Sequence, residues 1–513
     1  MTSPPSDSAP RPSTGLFNQL HWALWALTAA AALFLYTFHL GSGSLWNSDD
    51  AMYGHLVRQM IDSGSYGLAP SWFDYDVGKN YPLGMSWMAL ISTLSGTDEW
   101  GLRFPSLLAA LIALGAWGLF WRPAPTNTPQ HWPWLAALGL TASQPLFFSL
   151  SQRVMHDTLL MATIVMALGA YFQGHTAHTQ TPNKSAWPWF MAAGLACGLA
   201  SLVKIGAGLL PLTAIGLHLL LTQRQQLKTP PPWAAAAVAL GIPASFLLLT
   251  GRMTTVLDEL YQRFFVGLDG LGQNTGQAGA WNFFEVIFAQ GLPGWLLTLL
   301  AIAGCALCIA RRDPLDQLAL CWTALAALML AAMRTNLPHY TLQILMPMAL
   351  LGGLTLARFA QLRPWLTPLS PVITLAMLGT IANAGPWVHH SHDRTAALAN
   401  VQAQAAPETL LCTIDFYHLS PVFYTRRPVT YLTEDTRSRD VLRPFFGPQT
   451  VPTLQPGDIA KRLNQAPSFA CLIPAERWPK YQPTLTKPHK VISPDPKLAG
   501  PEILLILSTP NAP

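Results

Sequence analysis

Long apolar runs recur along the chain, at residues 20–40, 104–121, 133–150, 159–172, 187–203, 207–221, 233–250, 281–309, 318–333, 341–356 and 366–384. About 20 apolar residues suffice for a helix to cross a bilayer, and only helices or closed barrels satisfy their backbone there. The pattern predicts a polytopic α-helical membrane protein with about eleven spans. Composition agrees. Of 513 residues, 51% are hydrophobic and only 11% are charged, whereas a soluble domain carries roughly 25% charged residues. The runs at 159–172 and 207–221 are short, and 281–309 reads as one tilted helix or two pieces.

Charge assigns the loops to sides. With the N-terminus in the cytoplasm, Arg122, Lys184, Arg224, Lys228, Arg311, Arg312, Arg358 and Arg363 all fall in short cytoplasmic loops, the positive-inside pattern. The segments 46–105, 153–157, 252–280 and 334–340, and the turn at Lys204, then share the outer side. No basic tail or aromatic–basic interleaving marks a nucleic-acid partner. Cys197, Cys305, Cys308 and Cys321 lie in apolar runs and read as small buried side chains. Cys412 and Cys471 lie in the polar C-terminal region. A disulfide between them requires that region to be outside the cytoplasm, and spacing alone leaves their proximity open.

The expected organisation is a disordered cytoplasmic tail at 1–19, a transmembrane domain at 20–384 and an extracytoplasmic domain at 385–513. The tail is Ser/Pro-rich and cannot bury a core. Short apolar runs at 410–414, 429–432, 469–473 and 503–507, with a helix at 459–463, read as a small α/β unit.

The outer loop at 41–103 holds most of the unusual polar residues. Asp49, Asp50, Asp62, Asp74, Asp76, Asp98 and Glu99 fall in or beside it, with Arg58, Lys79 and Arg103. Ser48-Asp49-Asp50 reads as a helix start, and Tyr53, Leu56, Val57, Met60 and Ile61 follow at helical spacing. An amphipathic helix along the membrane is expected there, then a second non-spanning piece at 82–94.

Four constellations carry candidate chemistry. Paired carboxylates at Asp49 and Asp50, near Tyr53, can accept a proton or hold a divalent cation. A solvated helix start explains them about as well when taken alone. Arg153-Val154-Met155-His156-Asp157 groups three ionisable residues at the outer start of a span. Lys79, Arg103, Lys204 and Arg334 put four cations on the outer side, suited to a lipid-linked phosphate or simply snorkelling to headgroups. Pro338-His339-Tyr340 starts a late span, with His and Tyr in its first turn.

Together these motifs resemble the multi-spanning lipid-phosphate-sugar glycosyltransferases of GT-C type, the superfamily of lipid A aminoarabinose transferases and protein O-mannosyltransferases. The acidic pair before a tyrosine is Asp49-Asp50-Ala51-Met52-Tyr53. Lys79-Asn80-Tyr81-Pro82 stands where the bacterial branch has Lys-Pro-Pro, and Arg103-Phe104-Pro105-Ser106 starts the next span. His156-Asp157 matches the second acidic motif, Gly194 to Lys204 the Gly-Leu-rich segment, and Leu337-Pro338-His339-Tyr340 the late one. The resemblance covers 46 to about 356.

It implies an inner-membrane glycosyltransferase with its site on the outer, periplasmic side. The donor would be a polyprenyl-phosphate-linked sugar and the acceptor lipid A or another envelope glycolipid, glycan or protein. Asp49, Asp50 and Asp157 are the implied catalytic carboxylates, with Asp49 and Asp157 as candidate ligands should a divalent metal ion take part. Lys79, Arg103, Arg153, Lys204, Arg334, His339 and Tyr340 are the implied donor-binding residues. The competing reading is a non-enzymatic transporter or binder of phosphate-headgroup lipids or solutes, which calls for functional polar residues on both faces.

Overall fold

The computed structural model describes residues 14–38, 40–46, 49–67, 82–121, 132–180, 186–261, 282–333, 337–384, 393–415, 418–436 and 450–508. The membrane domain runs α1 (Thr14–Phe38), α2 (Asp49–Ser63), α3 (Pro82–Ser95), α4 (Glu99–Phe120), α5 (Trp132–Ala142), α6 (Pro145–Ser151), α7 (Asp157–Gln180), α8 (Trp187–Val203) and α9 (Ile205–Gly208). It continues through α10 (Leu210–Thr222), α11 (Pro230–Thr250), α12 (Met253–Tyr261), α13 (Asn282–Ala289), α14 (Leu292–Arg311), α15 (Pro314–Ala332), α16 (Leu342–Leu362) and α17 (Leu369–Ala384).

Among the described residues seven helices are long and apolar enough to cross a membrane, with four shorter apolar ones at 133–142, 187–203, 206–222 and 369–383. All fall on the predicted runs. Three runs are broken, 207–221 at Leu209 between α9 and α10 among them. The run at 133–150 divides at Ser143-Gln144 into α5 and α6, and 281–309 divides at Gln290-Gly291 into α13 and α14. Pro145 and Pro293 begin the second halves, because proline suits a first helical turn and interrupts a helix interior.

The bundle is centred on α7 and α16, whose described span-length segments are both 83% buried. They pack against α4, α5, α8 and α14. The Gly-Leu-rich segment has a packing role here. A Cβ at Gly194 would run into the Ala235 carbonyl, and one at Gly198 would lie 2.7 Å from Cδ1 of Ile242. Small residues thus let α8 and α11 approach backbone to backbone.

The C-terminal domain comprises α18 (Asp393–Ala403), β1 (Leu410–Ile414), α19 (Ser420–Thr425), β2 (Thr430–Leu432), α20 (Asp458–Gln465), β3 (Phe469–Pro474), β4 (His489–Ile492) and β5 (Ile503–Ser508). Its sheet has the order β2-β1-β3-β5-β4. β1 is parallel to both β2 and β3, and β5 is antiparallel to β3 and β4. Alternation along β1 sends Leu411 into the core shared with the membrane helices and Cys412 and Ile414 into a second core with Ile459 and Leu463 of α20. Cys412 and Cys471 are register partners on β1 and β3, with Cα atoms 4.6 Å apart, and form a disulfide. The fold is a polytopic helical membrane domain with a small α/β domain docked on the α2 end.

Candidate active site

The segment joining α1 to α2 is held from three sides. Arg103, in the first turns of α4, is 1% exposed. Its Nη1 donates to the Leu40 and Ser42 carbonyls at 2.9 and 2.8 Å, and its Nη2 to those of Gly43 and Ser44 at 3.3 and 2.8 Å. A guanidinium is the one side chain whose planar fork can serve so many acceptors at once. Gly43 sits at φ +68°, where a side chain is strained. The next amides face the other way. Ser44 N donates to Asp393 Oδ1 at 2.8 Å, Leu45 N to the Tyr424 hydroxyl at 2.8 Å, and Trp46 N to Asp50 Oδ2 at 2.8 Å.

The two acidic neighbours at the start of α2 then diverge, because consecutive helix positions do not share a face. Asp50 is buried. Its second oxygen, Oδ1, accepts from the Val154 amide. Asp49 is only partly buried, and both carboxylates act on the charge of Arg153. The Arg153 guanidinium lies 3.3 Å from the Trp46 ring centroid. Burial pulls its pKa down to about 10 against the opposing pull of Asp50 and then Asp49, so it remains a cation at neutral pH.

The 153–158 turn is fixed by the residue that ends the Arg103-Phe104-Pro105-Ser106 motif. Ser106 Oγ donates to the Met155 carbonyl at 2.7 Å, and the Thr158 hydroxyl donates to the Ser106 carbonyl at 2.9 Å. His156 packs edge-on to Tyr53 of α2, with ring centroids 5.1 Å apart. Glycine at Gly84 of α3 is required on its other side, since a Cβ there would lie 2.8 Å from that of His156.

Asp157 opens α7 and is 2% exposed. Its Oδ1 receives Lys204 Nζ at 3.1 Å, and the same ammonium sits 4.3 Å from the Tyr340 ring centroid. Its Oδ2 is buried with no hydrogen-bond partner among the described residues. His339 and His156 both act on the Asp157 charge, and the His339 ring meets that of Tyr340 edge-on at 4.5 Å. Lys204 reaches this point because α8 ends at Val203 and Lys204 is extended, at φ −158°.

The structure thus brings together Asp49, Asp50, Arg153, Asp157, Lys204, His339 and Tyr340 at one end of the bundle. Arg103 lies beneath them with both terminal nitrogens engaged by backbone. Lys79 and Arg334 lie outside the described residues. The described His, Cys, Asp and Glu residues form no group of three or more able to hold a metal ion. Sequence reasoning missed Asp393 and Tyr424 and named Glu99 only as one of the acids of the outer loop. Tyr424 donates to Glu99 Oε1 at 3.0 Å while accepting from Leu45 N. No local signal marks a contact between residues more than 300 positions apart.

A family model described as dolichyl-phosphate-mannose-protein mannosyltransferase matches residues 80–248. Among curated relatives, an undecaprenyl phosphate-alpha-4-amino-4-deoxy-L-arabinose arabinosyl transferase of Sodalis glossinidius is 25% identical over 64% of this chain and 58% of its own length. One from Pseudomonas fluorescens is 26% identical over 70% of this chain and 62% of its own. The match therefore spans about three-fifths of those relatives. Among solved structures, ArnT from Cupriavidus metallidurans bound to undecaprenyl phosphate superposes with a TM-score of 0.72 at 18% identity, over 96% of this chain and 99% of that one. The oligosaccharyltransferase AglB of Archaeoglobus fulgidus, with an inhibitory peptide and a dolichol-phosphate, gives 0.56 at 12% identity, over 81% and 64%. The chain resembles the multi-spanning lipid-phosphate-sugar glycosyltransferases, and it shares their fold.

Proposed function

We propose that this chain transfers a sugar, by analogy with its relatives a pentose, from a polyprenyl-phosphate donor to an acceptor on the periplasmic side of the inner membrane. The observation that carries this reading is the buried Asp157–Lys204 pair beside Tyr340, with the second Asp157 oxygen without a partner among the described residues. A buried carboxylate with spare acceptor capacity is costly to keep, and strained polar placement of this kind favours a functional site. The donor phosphate would lie among Lys204, Arg153, His339 and Tyr340, with Lys79 and Arg334 as further contributors. Arg103 would hold the lead-in to Asp49.

In the reaction the acceptor oxygen forms a bond to the anomeric carbon. The bond from that carbon to the phosphate oxygen breaks, and its electron pair leaves on the polyprenyl phosphate. Fixed cations stabilise the charge that develops on that oxygen. An acceptor that is itself a phosphate arrives ionised. A hydroxyl acceptor gives its proton to Asp49. An envelope lipid of lipid A type is the acceptor that the sequence resemblance implies.

The test is direct. The purified chain in lipid nanodiscs is given an undecaprenyl-phosphate pentose and lipid A, and products are read by mass spectrometry. A mass increment of one sugar on lipid A is expected, absent with Asp49→Asn. Donor consumption without any glycosylated product, from lipid A or from an extract of envelope glycans, would end the reading.

A further inference from the structure

We infer that the C-terminal domain is part of the transferase site, acting through Tyr424 as a positioning residue for Asp49. The inference rests on the function proposed above, but the geometry behind it is independent of the comparisons. The sugar-transfer carboxylate, Asp49, opens α2 just beyond a short segment, residues 40–46, whose last residue is already tied to the start of α2 through Trp46 N to Asp50 Oδ2 and Ala51 N to the Trp46 carbonyl. Its carbonyls at 40, 42, 43 and 44 are all held from the membrane side by Arg103. Two of its amides are held from the opposite side by the C-terminal domain, through Asp393 and Tyr424. Carbonyls gripped on one side and amides on the other leave the segment little freedom, and Asp49 inherits that order.

Tyr424 is the centre of the second grip. Its hydroxyl accepts from Leu45 N and donates to Glu99 Oε1, so one oxygen joins the segment, the first turn of α4 and α19. Burial, with the Glu99 carboxylate beside it, raises its pKa, so it keeps the proton it donates. The same face is reinforced by Arg58, which donates to the Phe423 carbonyl at 2.9 Å and the Thr97 carbonyl at 3.0 Å, with its guanidinium 3.9 Å from the Phe423 ring centroid. Gly54 permits this docking, since a Cβ there would lie 2.9 Å from Leu45 and 3.3 Å from Phe423. Dock and segment are therefore one unit, and a domain more than 300 residues away in sequence sets where the catalytic carboxylate stands.

The experiment compares Tyr424→Phe with Tyr481→Phe, a hydroxyl of the same domain that instead bonds Asp415. All variants are full-length in nanodiscs. Tyr424→Phe should lower kcat roughly 3- to 10-fold, the worth of one hydrogen bond, with the donor KM unchanged. Tyr481→Phe should leave both unchanged. Asp393→Ala should lower kcat in the same way, and Asp393→Asn, which keeps the acceptor, should restore it. Amide hydrogen exchange of the 40–46 peptide should quicken in Tyr424→Phe and not in Tyr481→Phe. Unchanged exchange overturns the positioning role whether or not the chain is an active transferase. Faster exchange with unchanged kcat overturns its link to catalysis. A wild-type chain that transfers no sugar fails the functional reading instead, and the exchange result still decides whether the domain holds the segment.

Discussion

Asp49 and Asp50 are chemically the same and structurally opposed, and that difference can be measured. Asp50 uses both oxygens on backbone amides, of Trp46 and Val154. In Asp50→Asn one of those amides would meet an NH2 group. A buried donor left unsatisfied costs about 1–3 kcal/mol, so denaturation should shift by that amount. Asp49 is partly exposed and, in Asp49→Asn, should keep stability within about 0.5 kcal/mol while losing sugar transfer and retaining donor binding. Equal stability losses in the two variants would dissolve the distinction. A second residue-scale effect concerns acid. Burial in α2, with Arg58 adding to it and Asp62 opposing, takes His55 from 6.5 down to about 4. The unfolded chain therefore takes up that proton first as pH falls. The stability tied to the neutral ring is whole above about 6.5 and drains away toward 4. Thermal unfolding at pH 7 and pH 5 should show a smaller acid loss in His55→Gln than in wild type. Identical losses would show that the ring does not titrate this way.

At the scale of elements, the glycines of α8 make a graded prediction. Alanine at Gly194 places its Cβ against the backbone of α11, which cannot move without shifting the helix. It should cost about 1–3 kcal/mol. Alanine at Gly198 meets only the Ile242 side chain, and a helix-propensity gain of about 1 kcal/mol offsets part of that clash. Unfolding of the two variants in the same detergent should rank them so; the reverse order would place the tight crossing elsewhere. The apolar runs made most of these helices legible, because hydropathy reports spans directly. The start of α2 and the strands β1, β2, β3 and β5 were legible for related reasons, as a capping pattern and as short buried runs. β4 was not. His489-Lys490-Val491-Ile492 is an edge strand of intermediate to full exposure, and an edge strand needs no apolar run. The break at Gln144 was equally hidden, since apolar residues continue on both sides, whereas the length of 281–309 had left one helix or two pieces open. Within the site, sequence order pointed to Asp49, Asp157, Lys204 and Tyr340. It was silent on Arg103 as a backbone clamp, because a cation near a membrane surface reads the same whether it meets phosphate or carbonyl oxygen.

For the whole molecule, buried polar groups sit at both ends of the bundle. Fourteen residues along α7 from Asp157, about 21 Å at 1.5 Å per residue, the Tyr171 hydroxyl bonds His218 Nδ1 at 2.7 Å. Nε2 of the same ring donates to the Pro314 carbonyl at 3.1 Å, and Gln226 donates to His175 at 2.8 Å. These buried groups serve one another and tie α7, α10 and the start of α15 together. Buried acceptors without a hydrogen-bond partner among the described residues lie at both ends, Gln226 Oε1 and Asp316 Oδ2 at this one and Asp157 Oδ2 at the site end, so which face the site occupies rests on topology. The proposed reaction needs the C-terminal domain and the α2 end on the outside. The proposed orientation has the basic loops of the opposite end in the cytoplasm, as the positive-inside rule reads them, and calls for an oxidising compartment around the Cys412–Cys471 disulfide. A phosphatase active only in the periplasm, fused after Pro513, should therefore be active in intact cells. Protein alkylated before reduction should yield Cys412 and Cys471 peptides joined, with Cys197, Cys305, Cys308 and Cys321 free. An inactive fusion together with two alkylated thiols at 412 and 471 would put the domain in the cytoplasm. The Asp49–Asp157 end would go with it, because Tyr424, Asp393 and Arg58 bind that end to the domain, and the acceptor would then have to be sought on the inner face.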